Sequence, residues 1–186
     1  MSDLIYASQY PPEQNDTYVK ATSVLDVPYA PFYATDPSVS LLGPTSYTTW
    51  VSNYAIVDQR FHIDLGSSKI IKRIYYENAH YSGMYTSMGV KNFTLWGSND
   101  ADDFAELTYA EDGTWTQLTI AQTYFDSHIG ADTPDPKYIL VTNTTAYKYY
   151  AFKFADNYGH SLMGVRRIEL QLVCPVGPLP LFRRNV

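Results

Sequence analysis

The sequence is short of the residues from which several functions are built. Cys174 is its only cysteine, which excludes an intrachain disulfide and a thiolate cluster for zinc. A half-buried free thiol is the expected state. Basic residues are few, with 13 Lys and Arg against 19 Asp and Glu and a formal net charge of -6. Such a chain has no positive field to collect phosphates, so nucleic acid and anionic membrane are poor partners. No apolar run approaches the roughly 20 residues of a membrane span. The opening stretch MSDLIYASQYPPEQNDTYVK lacks the basic run and apolar segment of a signal peptide. The expected place is extracellular or virion-associated, as part of a larger assembly or a parent multidomain protein. Catalytic groupings are missing too. His80, His128 and His160 fall in or near loops with no Ser or Cys and supporting acid beside them. Asp102-Asp103 and Asp132/Asp135 sit in polar turns, where capping accounts for them. The chain is therefore expected not to be an enzyme.

What is present points to strands. At 186 residues with 45% hydrophobic residues, the chain can fill one core. From Phe61 onward come short apolar runs of period two: FHIDL, IIKRIYY, VKNFTLW, WTQLTI, KYILVT, YYAFKF and VRRIELQLV. In the first, Phe61, Ile63 and Leu65 share an inward face, leaving His62 and Asp64 on a solvated one. In VKNFTLW the inward pair is Phe93 and Leu95. Gly66, the GSND segment and Asp112-Gly113 supply turn chemistry between the runs. The pattern predicts an all-β antiparallel sandwich. Residues 1–20, polar and holding Pro11-Pro12, read as an N-terminal arm. Residues 21–173 form the domain and 174–186 a Pro-rich tail, whose Leu179 to Phe182 segment could serve as an attachment peptide.

The segments TTWVSN, QRFHIDLGSSKIIKRIYY, VKNFTLWGSNDADDF, DGTWTQL and YYAFKF follow one another in an order that resembles the discoidin, or coagulation factor type C, domain of the galactose-binding-like superfamily. The match runs over about residues 21–173. It implies a jelly roll with Trp50 plugging one end, Gly66 turning the chain after a core strand, and a ligand site in the loops at one end. It also implies a structural calcium ion near that end. Here Asp36, Thr48 and Thr49 would contribute loop oxygens and Glu169 a carboxylate from the last strand. The pattern departs at Arg167, which stands where the family has its Glu; an arginine paired with Asp36 could pin the loop in the ion's stead.

Two loops hold the candidate binding residues. YENAHYSGMYTSMG offers Glu77, Asn78, His80, Tyr81 and Tyr85, and FADNYGHSLMG adds Asp156, Asn157, Tyr158 and His160. Flat aromatic faces beside planar hydrogen-bonding groups are what a sugar requires: rings cover its C–H face while Asn and His pair with its hydroxyls. The expected function is a non-catalytic carbohydrate-binding module for a glycan or polysaccharide, the site lying where the Tyr81 and Tyr158 loops meet. The alternative is a structural or protein-interaction module whose tyrosines cap the sandwich and stabilise its loops, as in a virion adhesion element.

Overall fold

The computed structural model describes residues 4–174, so the Leu179 to Phe182 segment and the rest of the Pro-rich tail after Cys174 lie outside the described residues. Among these, the strands are β1 (Ile5–Gln9), β2 (Val19–Ala21), β3 (Trp50–Val51), β4 (Gln59–Lys69), β5 (Arg73–Asn78), β6 (Phe93–Ser98), β7 (Thr116–Ile120), β8 (Lys137–Thr142), β9 (Tyr147–Phe154) and β10 (Gly164–Cys174). They form two antiparallel layers, β1-β10-β5-β8 and β2-β4-β9-β6-β7, joined where Thr119 and Ile120 of β7 pair with Thr142 and Val141 of β8. The short β3 pairs with the start of β10. A curled antiparallel sandwich is the result.

Period-two patterning decides which side chains fill it. Phe61, Ile63 and Leu65 of β4, Phe93 and Leu95 of β6, and Phe152 and Phe154 of β9 enter one buried cluster with Ile74, Tyr76, Ile168 and Leu170 from the opposite layer. Trp50 is fully buried in this cluster, its ring 5.4 Å from Phe61 and 5.7 Å from Phe154. Its Nε1 donates to the Ser23 carbonyl at 3.0 Å, so the indole N–H is satisfied inside the core.

Three expectations change. Parts of the expected polar arm, residues 5–9 and 19–20, are instead strands of the sandwich. β1 lies along β10 from Ile5↔Cys174 to Gln9↔Leu170, and β2 pairs with β4. An edge strand is half exposed, so its composition resembles a linker even though its backbone completes the edge of β10. Gly66 does not end β4; it sits within it at φ 71°, and a Cβ there would lie 2.6 Å from Pro12 Cγ. Only glycine accommodates both.

The third change concerns His62. The second face of β4 is covered by the helical turn α1 (Ala101–Ala105), and Phe104, Trp115, Tyr149 and Ala151 form a second buried cluster there. His62 is fully buried beneath it, its Nδ1–H donating to the Phe104 carbonyl at 3.1 Å and its ring 5.1 Å from Trp115. Burial, with some help from the Arg60 charge, pushes the imidazole pKa down to about 4. The unfolded chain, with an ordinary His near 6.5, therefore takes up a proton first as pH falls. The His62 contribution to stability is intact above about pH 6.5 and declines as pH drops from there toward 4. Melting temperature followed from pH 7 to pH 4 is expected to fall across that window. A His62→Phe variant, if it folds, should show a shallower fall.

Candidate functional site

The β5–β6 and β9–β10 connections lie side by side at one end of the sandwich. Val90 bridges Asn157, and the Tyr158 N–H donates to the Ser87 carbonyl at 3.2 Å. Within the first connection, Tyr81 and Met84 exchange two backbone hydrogen bonds of 2.8 Å around Ser82 and Gly83, both at positive φ. That is a tight hairpin of the primed type. It lifts Tyr81 to the surface, 42% exposed. Tyr85 follows at φ 52°, a left-handed conformation that costs a residue with a Cβ on the order of 1 kcal/mol. The strained residue is also 59% exposed. Neither core packing nor turn chemistry calls for a tyrosine there.

These rings meet a third. Tyr81 and Tyr85 lie 6.2 Å apart at 66°, and Tyr85 and His160 5.9 Å apart at 65°. His160 Nδ1 accepts the Leu162 N–H at 3.1 Å, which places its proton on Nε2 and makes that nitrogen a donor toward a ligand. Together with Thr45, Met88 and Leu162 the three rings line an open depression of about 370 Å³. No Asp, Glu, Lys or Arg is among the lining residues. A somewhat larger depression of about 430 Å³ lies over β6 and β7, lined by Thr94, Gln117, Leu118, Thr119, Ile120 and Thr123. It presents no aromatic ring.

The model of the DUF5000 family, described as a domain of unknown function, matches residues 42–163, which takes in both loops and most of the sandwich. The chain belongs to this family. Comparison with curated proteins finds no match. Among solved structures, the chain is similar to the CBM32-5 module of a GH89 protein from Clostridium perfringens, in complex with GalNAc-β-1,3-galactose. There the TM-score is 0.57 at 15% identity, over 82% of this chain and 92% of that one. It is also similar to the family 32 carbohydrate-binding module of NanJ from the same organism, in complex with galactose, with TM-score 0.57 and 11% identity over 90% and 100%. A third is the CBM32 of AlyQ in complex with 4,5-unsaturated mannuronic acid, with TM-score 0.53 and 17% identity over 88% and 98%. At such identities the likeness establishes the fold alone: a galactose-binding-like β-sandwich.

The remaining sequence-predicted residues are close by, but their polar groups face inward. Asn78 is buried, its Nδ2 donating to the Val90 and Asp126 carbonyls at 2.7 and 3.0 Å and its Oδ1 accepting the Ala79 N–H. Glu77 accepts from the Tyr75 hydroxyl and the Asp135 N–H. His80 is also buried, stacked 4.0 Å from His128, accepting the Gly83 N–H and donating to the Leu41 carbonyl. Burial, then the nearby Arg166 charge, lowers its pKa to about 4 and keeps it neutral. Asn157 spends both amide hydrogens on the carbonyls of His160 and Leu162, and Asp156 accepts from the backbone and side chain of Asn92. Tyr158 donates to the Phe125 carbonyl at 2.6 Å. These residues build the loops that carry Tyr81, Tyr85 and His160; they do not line the depression. Thr45, Met88 and Leu162 were not legible as site residues, because nothing near them in the sequence marks which loop faces which.

Tyr158 offers a direct check. Tyr158→Phe removes one hydrogen bond and keeps the ring, so stability should drop by about 1 kcal/mol, or roughly 2–4 °C in melting. Affinity for a sugar should not change in calorimetry.

The side chains expected to hold calcium each hydrogen-bond to a protein neighbour. The Asp36 carboxylate accepts from the backbone and hydroxyl of Ser38, and the Thr48 hydroxyl donates to the Pro44 carbonyl and lies 3.3 Å from that of Thr49. Glu169 accepts from Ser8 at 2.5 Å and from Arg167 at 3.4 Å. This set does not fit a calcium ion, which needs six to eight converging oxygens. Nor does Arg167 pair with Asp36. Its Nη2 donates to the Val39 carbonyl at 2.8 Å. It thereby holds the segment after Asp36 by a backbone carbonyl, and its neighbour Arg166 takes the carbonyls that follow, from Ser40 to Pro44.

Proposed function

We propose that this domain is a non-catalytic glycan-binding module that holds a neutral sugar in the depression between Tyr81, Tyr85 and His160. The observation that carries the reading is the set of three tilted rings around an open, uncharged hollow at the loop end of the sandwich. A pyranose stacks its C–H face on one ring while a hydroxyl accepts from His160 Nε2 and others meet the tyrosine hydroxyls. The complexes of similar modules with galactose, GalNAc-β-1,3-galactose and an unsaturated uronic acid support a sugar as the ligand class. With no cationic lining residue and a net charge of -6, acidic sugars are disfavoured relative to neutral ones. No lining side chain is a carboxylate that could serve as acid or nucleophile.

A shallow site for one or two rings leaves little surplus after ordering costs, so dissociation constants on the order of 0.1–1 mM are expected. Firm attachment then requires several copies on one particle or parent protein. A glycan array carrying both neutral and uronic-acid oligosaccharides, probed with a multivalent form of the domain, tests the reading. Retention is expected on neutral galactosides or related hexosides. Retention confined to uronates would contradict it.

A further inference from the structure

We propose that the Arg166 guanidinium serves in this domain as the internal cation of the 40–44 loop, in place of the structural calcium ion that the discoidin resemblance implies. The backbone supplies the means. In the pairing of β10 with β5, Val165 faces Asn78 and Arg167 faces Glu77, so Arg166 is the extra residue of a β-bulge. A bulge re-aims the side chain it carries. Here both Arg166 and Arg167 become buried although they are consecutive.

The buried guanidinium meets backbone carbonyls from two directions. Nη1 donates to Leu42 at 3.0 Å and Ser40 at 3.4 Å, and Nη2 to Gly43 at 2.8 Å, Pro44 at 3.4 Å and His80 at 2.8 Å. A ring of loop carbonyls turned inward on one positive centre is the arrangement a hard cation would require. The positive centre here belongs to the chain itself. Burial lowers its pKa to about 10, with Asp132 and Glu77 opposing that shift, so it stays charged at neutral pH. Asp132 also accepts the Gly43 N–H at 2.8 Å, tying the same loop from its outer side.

The held loop reaches the depression. Leu41 gives its carbonyl to His80, Gly43 accepts the N–H of Ser82 next to Tyr81, and Thr45 lines the hollow. Arg166 is thus a positioning residue for that surface. The role of the cation does not depend on a sugar binding there.

Thermal melts of the full chain in EDTA and in millimolar calcium chloride are expected to superimpose, because an ion without a native site cannot stabilise by mass action. Arg166→Met should lower melting by about 10 °C or more, since it takes the donor from the buried His80 carbonyl and from four part-buried loop carbonyls. It should also speed amide hydrogen exchange of residues 40–44 and Ser82. Arg166→Lys, with three donors for five carbonyls, should fall between. A rise in wild-type melting with calcium overturns the proposal, as does an Arg166→Met protein with wild-type melting and protection. Should Arg166→Met fail to fold, the wild-type melts and Arg166→Lys still decide.

Discussion

Tyr85→Ala is expected to weaken binding of a neutral sugar at least tenfold while leaving melting within about 2 °C of wild type. The ring is 59% exposed and its packing partners are the other two rings of the hollow. Little apolar area is therefore lost from the folded state when it is removed. The left-handed backbone at φ 52° is strained for Ala as it is for Tyr, so that cost largely cancels. What disappears is one wall of the site. An aromatic platform contributes on the order of 1–2 kcal/mol to a stacked ring, and about 1.4 kcal/mol corresponds to a tenfold change. Tyr85→Phe keeps the platform and should retain most of the affinity. Calorimetry and a melt on both variants separate stacking from hydroxyl contacts; full affinity in the Ala variant would remove Tyr85 from the site.

Asn78→Ala is expected to do the opposite, lowering stability by about 3 kcal/mol, or roughly 6–12 °C, with unchanged affinity in the folded fraction. Its amide satisfies the Val90 and Asp126 carbonyls and the Ala79 N–H, all in the buried underside of the loops. Truncation leaves these groups without partners, and each unsatisfied buried group costs about 1–3 kcal/mol. Chemical denaturation measures the loss. A variant that melts normally but no longer binds would return Asn78 to the binding surface.

The contrast between Tyr85 and Asn78 locates the limit of sequence reading. Period-two alternation is a local signal, and it placed Phe61, Ile63, Phe93 and Leu95 in the core because a sandwich must bury one face of each strand. The resemblance of ordered segments then indicated the binding end, and the two loops do adjoin there. Residue chemistry alone could not tell which Asn, His or Tyr in those loops faces solvent. Asn78 and His80 have the same hydrogen-bonding repertoire whether they meet a sugar or a backbone carbonyl. The split follows from nonlocal contacts, such as the Leu41 carbonyl reaching His80 and the Phe125 carbonyl reaching Tyr158. Arg166 was hidden for the same kind of reason. Two consecutive buried arginines run against strand alternation and ordinary expectation until the bulge and the loop carbonyls are seen together. The β1 edge was missed because one exposed and four half-buried residues carry too weak a pattern.

On the proposed reading, one hollow at the loop end takes a neutral sugar. Amide chemical-shift mapping of the labelled domain during titration with galactose, N-acetylgalactosamine and other neutral hexosides tests it most directly. The expected result is a saturable set of shifts confined to Thr45, the Tyr81–Met88 turn and the His160–Leu162 segment, with Tyr85 among the largest. Saturable shifts over β6 and β7 around Thr94 and Gln117 instead, or none with any neutral sugar in the array-positive set, would contradict the account.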